Sequence, residues 1–220
     1  MTSPNLLWRF WRIMMLEHPC LTVYPAQIED IFKTMKETDK SLKTIDVWIS
    51  LVETNASRVS AKKNTTEEKV EAENNFKGDM LELLAEIFFK NSPFDDRFGL
   101  KDYTVADSGS DYGVDATGIN VNGHKCAVQC KYRVNPNPIG DDQIKYEDLT
   151  KTYRDGRRNH NCDLDNPHTI FLFTTANGYS WRIDDQFGDE LVFIGRNQLS
   201  EILHRNVNFW DIAYEQIQLE

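Results

Sequence analysis

The apolar run TIFLFTT at residues 169–175 constrains the fold more than any other stretch of the sequence. A strand with one face in water alternates polar and apolar residues, but nothing polar interrupts Ile170 to Phe173. The run therefore predicts a strand that is covered on both faces, as in sheets with helices on each side. The segment ELVFIG at 190–195 predicts a second buried strand, and RNQLSEILHR after it predicts a helix.

The rest of the chain supplies helices and one hairpin. Three apolar stripes of helical spacing lie within the first 60 residues, and Pro25 stands at a first-turn position of the second. The segment NVNGHK contains an Asn-Gly turn between two strand-like runs. The order helix, hairpin, helix, strand, strand, helix predicts an α/β fold with a mixed central sheet, preceded by an all-helical N-terminal region.

The polar stretch SRVSAKKNTTEEKVEAENNFK separates the helical region from the α/β part. Within it, Thr65 and Glu68 have capping-box spacing, which marks the start of a long helix. Few of its residues could bury apolar surface, so we expect few contacts to cross it and the first region to be separable from the chemistry. The predicted division is a helical region at 1–60, a linker or the start of the first core helix at 61–74, and an α/β domain at 75–220.

Polar side chains on the predicted hairpin form the candidate site. Gln129 and Lys131 share one face of their strand because side chains alternate, and the opposite face is apolar. Asp115 lies on the partner strand, and Glu82 can approach from the preceding helix. Two carboxylates, an amide oxygen and an ammonium group suit a hard cation such as Mg²⁺ with water and a substrate phosphate. The lysine would orient that water or stabilise charge on the phosphate.

The turn of the hairpin decides whether Asp115 reaches this site. A two-residue Asn-Gly turn would place Asp115 on the apolar face. A three-residue loop with Gly123 in the left-handed region sets Asn120 opposite His124 and Asp115 opposite Gln129, and a β-bulge would also serve. We predict one of these two arrangements.

These residues resemble the motifs of the PD-(D/E)xK nuclease superfamily, and within it the Mrr-like restriction endonucleases. That branch has a helix with a glycine and a glutamate four residues later, then D-x-G-[IV]-D, then Q-x-K in the next strand. The matching segments are GDMLE at 78–82, DYGVD at 111–115 and QCK at 129–131. The later segments FLFTTANGYS and LVFIGRNQLSEIL are similar to the family's threonine turn and closing strand and helix. The resemblance covers roughly residues 75–204.

The resemblance implies a restriction-endonuclease-like domain at 75–220 and a metal-dependent DNA endonuclease that hydrolyses phosphodiester bonds. It makes Asp115 the metal-binding aspartate, Gln129 the second strand ligand, Lys131 the catalytic lysine and Glu82 the helix acid. Mg²⁺ is the implied cofactor, and Mn²⁺ can substitute. Gln129 departs from the superfamily's acid, which is normal for the Mrr-like branch but removes a negative charge near the metal. For Asp111, a loop-capping role and a secondary ligand role stay open.

The distribution of charge allows a local DNA-facing surface. The formal net charge of −10 opposes nucleic-acid binding by the chain as a whole. The segment 125–158, however, carries 8 basic residues against 5 acidic ones. We expect Lys77, Arg133, Arg157 and Arg158 to contact DNA phosphates. A solvated helix face is the alternative for part of this segment.

Two other classes of function stay open. One is a catalytically inactive nucleic-acid-binding or adaptor module that keeps the nuclease fold, and the other is a helical interaction protein with an α/β scaffold. The complete set of four site residues favours the enzyme. Cutting both strands needs two sites, so we expect a homodimer, or else a helicase or translocase partner. Glu86, four residues after Glu82, is expected to be a solvated helix residue.

Cysteine usage and the N-terminus bear on location. The four cysteines have neither zinc-site spacing nor the look of a disulfide framework, which predicts a reducing, intracellular compartment, either cytoplasmic or nucleoid and nuclear. Arg9 and Arg12 allow a mitochondrial presequence, but Glu17 and the sparse hydroxyl residues favour an ordinary amphipathic helix. No apolar run reaches the ~18 residues that span a membrane, so no membrane association is expected.

Overall fold

A computed structural model describes residues 15–91, 98–106, 113–206 and 208–218. The expected helix around Arg9 and Arg12, and Asp111, lie outside these residues. The helices are α1 (Cys20–Val23), α2 (Pro25–Glu37), α3 (Ile45–Ser60), α4 (Thr66–Lys90), α5 (Tyr146–Asn159), α6 (Arg182–Phe187), α7 (Arg196–Arg205) and α8 (Phe209–Ile217). Short 3₁₀ turns occupy Lys40–Leu42 and Gly140–Asp142.

The strands of the described residues form one mixed sheet. They are β1 (Lys101–Val105), β2 (Ala116–Ile119), β3 (Lys125–Lys131), β4 (Ile170–Thr174) and β5 (Leu191–Ile194), and their order in the sheet follows the chain. Strands β1, β2 and β3 pair antiparallel, whereas β3, β4 and β5 pair parallel. All five residues of β4 are buried. The predicted α/β class, the mixed sheet and the two-sided burial of this strand are confirmed.

Helix α4 is the element that places the site. The Thr65 hydroxyl accepts the backbone N–H of Glu68, and the Glu68 carboxylate accepts that of Thr65, as the capping-box spacing predicts. The first core helix thus begins inside the stretch 61–74, most of which is helix rather than linker. The C-terminal half of α4 packs Phe88 and Phe89 against Phe171 and Phe173 of β4.

The two faces of the sheet carry separate apolar clusters. One lies under α4, where Val128 and the phenylalanines of β4 are buried together with α7 and α8. The other lies under α5 and α6, where Leu149 and Ile183 cover Ala127 and Leu172. Burying a large apolar side chain contributes roughly 1.5–3 kcal/mol. In the described part of the chain, apolar clusters therefore cover both faces of β3 and β4.

The N-terminal helices belong to the larger of these clusters. Phe32 of α2 and Trp48 of α3 are fully buried in it with residues of α4 and the sheet. The ring of Tyr24 lies edge-on to that of Phe76 at 5.0 Å, and Phe32 lies 6.2 Å from Trp210. The described part of the helical region thus completes the core of the α/β part, which argues against the expectation that the region is separable.

Within the described part of the chain, no helix combines the length and the apolar character needed to cross a bilayer.

Candidate active site

The hairpin adopts the three-residue loop that the site requires. Ala116 pairs with Val128 and Ile119 with Lys125, and the Asn120 N–H donates to the His124 carbonyl at 3.0 Å. Gly123 has φ of +85°, a left-handed conformation that glycine adopts without a Cβ clash. The prediction of a three-residue loop is confirmed.

Asp115 lies immediately before β2, at the edge of the sheet where β3 ends. Its Oδ2 accepts the side-chain amide of Gln129 and the backbone N–H of Cys130, each at 2.5 Å. Burial, followed by the charge of Glu82, raises the pKa of Asp115 to about 7, although these two donors and the charge of Lys131 oppose the shift. The carboxylate is thus held in place by the hairpin and destabilised as an anion by its surroundings.

Helix α4 and the N-terminal segment bring three further groups to this edge. His18, Asp79 and Glu82 have potential ligand atoms that all lie within 4.8 Å of one another. Burial and then the charge of Glu82 raise the pKa of Asp79 to about 6, against the opposing effect of His18. Asp79, Glu82 and Asp115 line one cleft of about 380 Å³. Their oxygens are of the kind that bind Mg²⁺ or Mn²⁺, and a cation would relieve their mutual repulsion.

Asp79 and His18 were not identified from the sequence. Asp79 stands three residues before Glu82, and residues with this spacing share a helix face, so helical periodicity could have found it. His18 is 64 residues from Glu82 along the chain, and no local signal joins them.

Glu86 is buried, which corrects the expectation of a solvated residue. Its side chain has no exposed surface, and its carboxylate accepts the backbone N–H of Glu17 at 2.7 Å and of His18 at 3.1 Å. Lys90, one turn further on, pairs with it at 2.8 Å. The segment that precedes α1 covers this turn of α4. The sequence of the helix alone does not reveal this contact.

The side-chain amide of Gln129 binds Asp115, and its oxygen does not face the cleft. Its Nε2 donates to Asp115 and its Oε1 accepts the Thr152 hydroxyl of α5 at 3.0 Å. The side chain is almost fully buried. The ligand role expected for Gln129 would require the amide to turn so that oxygen faces Asp115. In the orientation observed, Gln129 positions the aspartate.

Lys131 ends β3 and is anchored by its neighbours. Its carbonyl accepts the Thr174 hydroxyl at 2.6 Å, and its ammonium lies 3.5 Å from the Asp148 carboxylate. The next residue, Tyr132, donates its hydroxyl to Glu53 of α3 at 2.8 Å. Both the backbone and the ammonium group of Lys131 are therefore held in position. Helix α3 of the N-terminal region contributes through its contact with Tyr132.

A second cleft, of about 680 Å³, adjoins the first across Asn74 and Gly78. Lys77, Lys131 and Arg133 line it. Lys77 pairs with Glu53 at 2.8 Å, and Arg133 donates to the carbonyls of Tyr132 and Asp142. A Cβ built on Gly78 would meet no atom within 4 Å, so the glycine opens the passage between the clefts rather than permitting close packing.

Arg157 and Arg158 lie at the other end of α5 from these clefts. Arg157 pairs with Asp165 at 3.0 Å and donates to the Tyr153 hydroxyl. Nine residues of helix, roughly 13 Å, separate it from Asp148 beside the site. Of the four predicted DNA contacts, the structure brings Lys77 and Arg133 to the site and leaves Arg157 and Arg158 apart from it.

No family model matches this chain, and searches of curated proteins and of solved structures found no match.

Proposed function

We propose that the protein is a metal-dependent DNA endonuclease with a restriction-endonuclease-like core. The observation that carries the proposal is the shared environment of Glu82 and Asp115, two carboxylates on different elements that line one cleft, where burial and the charge of Glu82 raise the pKa of Asp115. Lys131 lies close enough to oppose that shift. Carboxylates that repel one another beside an ammonium group form a site for a cation and a phosphate.

The donor set fits Mg²⁺ or Mn²⁺, with Asp115 and Glu82 as the holding residues and Asp79 as a third carboxylate. When bound, such an ion lowers the pKa of water and offsets negative charge on a phosphate. Gln129 and the Cys130 N–H fix the orientation of Asp115. Lys131 would donate to a phosphate oxygen in exchange for its contact with Asp148.

The two adjoining clefts suit a chain-like substrate. Hydrolysis adds the oxygen of water to phosphorus and releases an alcohol from the broken P–O bond, so the backbone must pass both the acidic cleft and Lys131. Lys77 and Arg133 line the second cleft, where neighbouring phosphates would lie. We propose double-stranded DNA as the substrate class, with a second copy of the chain or a helicase or translocase partner supplying cleavage of the other strand.

The test is conversion of supercoiled plasmid in the presence of Mg²⁺, Mn²⁺ or EDTA. Wild type should nick or linearise plasmid only with a metal ion. Asp115→Asn and Lys131→Ala should each reduce the rate by at least about 100-fold, with melting temperatures close to that of wild type. Cleavage in EDTA, or full activity of Asp115→Asn, would refute the proposed chemistry.

The second candidate is an inactive nucleic-acid-binding or adaptor module. It is favoured by the partners that the site residues already have, since His18 engages Glu82, Gln129 engages Asp115 and Asp148 engages Lys131. The same plasmid experiment decides between the two. DNA binding without cleavage by wild type, unchanged in the Asp115→Asn protein, would establish the adaptor.

A further inference from the structure

The N-terminal segment at residues 15–20 is fastened to α4 beside the proposed metal centre. The buried carboxylate of Glu86 accepts two successive backbone N–H groups of the segment, and Lys90 donates to the Met15 carbonyl at 2.8 Å. Leu16 is buried in the core. Hydrogen bonds to charged groups are stronger than neutral ones, so this anchor fixes the backbone that leads into His18.

The hydrogen bonds of His18 determine which ring nitrogen carries its proton. The backbone N–H of Cys20 donates to Nδ1 at 3.2 Å, so Nδ1 is an acceptor. In a neutral imidazole the proton is then on Nε2, which lies 3.1 Å from Glu82 Oε2. His18 is 4% exposed, so water does not compete for either contact.

This arrangement separates two roles for the imidazole. A metal ligand must present an unprotonated nitrogen, yet the lone pair of Nδ1 is used by Cys20 and Nε2 carries the only ring proton. A positioning residue needs only the Nε2–H donor that is present. The geometry of His18 therefore favours holding Glu82 over binding a cation itself.

We infer that His18 is a positioning residue, supplied by the N-terminal segment, whose Nε2–H fixes the Glu82 carboxylate of the active site. The inference rests on the proposed role of Glu82 in holding a metal ion. It makes the segment at 15–20 part of the active centre rather than an appendage. The partners that orient metal ligands typically change affinity or activity 10- to 100-fold when removed.

Two substitutions of His18 each keep the hydrogen bond of one ring nitrogen and remove that of the other. His18→Gln places an amide N–H near the position of Nε2 and can still reach Glu82. His18→Asn places an oxygen near Nδ1, can accept the Cys20 N–H and is too short to reach Glu82. Val70→Ala is the control and should behave as wild type, because Val70 is exposed on the same helix as Glu82 and lies outside both clefts.

The readouts are Mn²⁺ affinity by calorimetry and the plasmid cleavage rate, at a temperature where circular dichroism shows every variant folded. We expect His18→Gln to stay within about threefold of wild type and His18→Asn to lose about 10- to 100-fold in both. The reverse order would overturn the inference in favour of a purely structural role. Loss of Mn²⁺ affinity and cleavage in both variants would overturn it in favour of direct metal ligation by His18. Wild-type affinity and cleavage in both variants would show that His18 has no role in the site.

A measurement without metal or substrate separates this inference from the proposed function. Two-bond ¹H–¹⁵N spectra of the metal-free protein should show the ring proton of His18 on Nε2, as its hydrogen bonds require, and Glu82→Gln should move that resonance. A ring protonated on Nδ1, or no response to Glu82→Gln, would overturn the inference. If wild type neither binds Mn²⁺ nor cleaves DNA, the proposed function fails, while this spectrum still reports on the His18–Glu82 contact.

Discussion

The side-chain amide of Gln129 donates to Asp115 Oδ2 at 2.5 Å, so a neutral residue orients the aspartate. The amide supplies a donor that stabilises the aspartate anion, whereas a carboxylate would add a third negative charge next to Glu82. The identity of residue 129 therefore sets how strongly the metal-free site resists ionisation.

Gln129→Glu should be tolerated only with metal present. The substitution removes a hydrogen bond to a charged group and buries a like charge beside Asp115, which should cost about 1–3 kcal/mol at pH 8 without metal. Added Mn²⁺ should raise the melting temperature of this variant more than that of wild type, because an anion binds a hard cation better than an amide does. Thermal melts with Mn²⁺ and with EDTA measure both effects, and equal responses in the two proteins would contradict the prediction.

The metal-free protein should lose stability as pH rises. The pKa of Asp115 is raised from 3.8 to about 7 in the folded state, so the folded protein binds this proton more tightly than the unfolded chain does. The contribution to stability is therefore present below about pH 4 and lost as pH rises through 7. Asp115→Asn should flatten this slope in urea titrations across that range, and an unchanged slope would argue against the raised pKa.

Gly78→Ala should stabilise the fold of the protein and reduce its DNA binding and cleavage. Alanine is favoured over glycine in a helix interior by roughly 0.5–1 kcal/mol, and the new Cβ meets no protein atom. The methyl group would instead project between the two clefts, so DNA binding and cleavage should fall. Val70→Ala, at an exposed position of the same helix outside both clefts, is the control and should leave cleavage unchanged. Wild-type activity of Gly78→Ala would show that substrate does not approach this turn.

A chain starting at Thr65 should fail to fold stably. It lacks Phe32 and Trp48, and each loss of such a buried aromatic costs about 3–5 kcal/mol even as a truncation to alanine. It would also uncover Glu86, a buried carboxylate whose partners include the N-terminal segment. Solubility and melting temperature test this, with a chain starting at Met15 as the control. A soluble, active fragment would show that the N-terminal helical region is separable from the α/β part.

Arg133 should contribute more to DNA binding than Arg158. Both substitutions to glutamine remove one positive charge, but only Arg133 lines a cleft beside Lys131. Arg133→Gln should weaken DNA binding and reduce the slope of log affinity against log salt by about one, while Arg158→Gln should change neither. Fluorescence anisotropy at several salt concentrations measures the slope. If Arg158→Gln had the larger effect, DNA would contact the C-terminal end of α5 rather than the cleft beside Lys131.

The sequence predicted the elements whose patterns are local. Thr65 with Glu68 marked the start of α4 through hydrogen bonds three residues apart. The three-residue loop was predicted because the site needs Asp115 opposite Gln129, and Gly123 could adopt the positive φ of that loop. Strand β1 and helix α8 were not anticipated. Of the five residues of β1, Tyr103 alone is buried, so the periodic signal was too weak to identify a strand.

Only the tertiary structure decided which of the polar residues share a site. The chain itself determined that Gln129 and Lys131 share a strand face and that Glu82 stands on a helix before them, because periodicity and turn conformation act over a few residues. It could not show that Glu86 is buried or that His18 meets Glu82, since those contacts join residues 69 and 64 positions apart. The free energy of burying a charge depends on the partners that the folded chain supplies, and no local pattern encodes them.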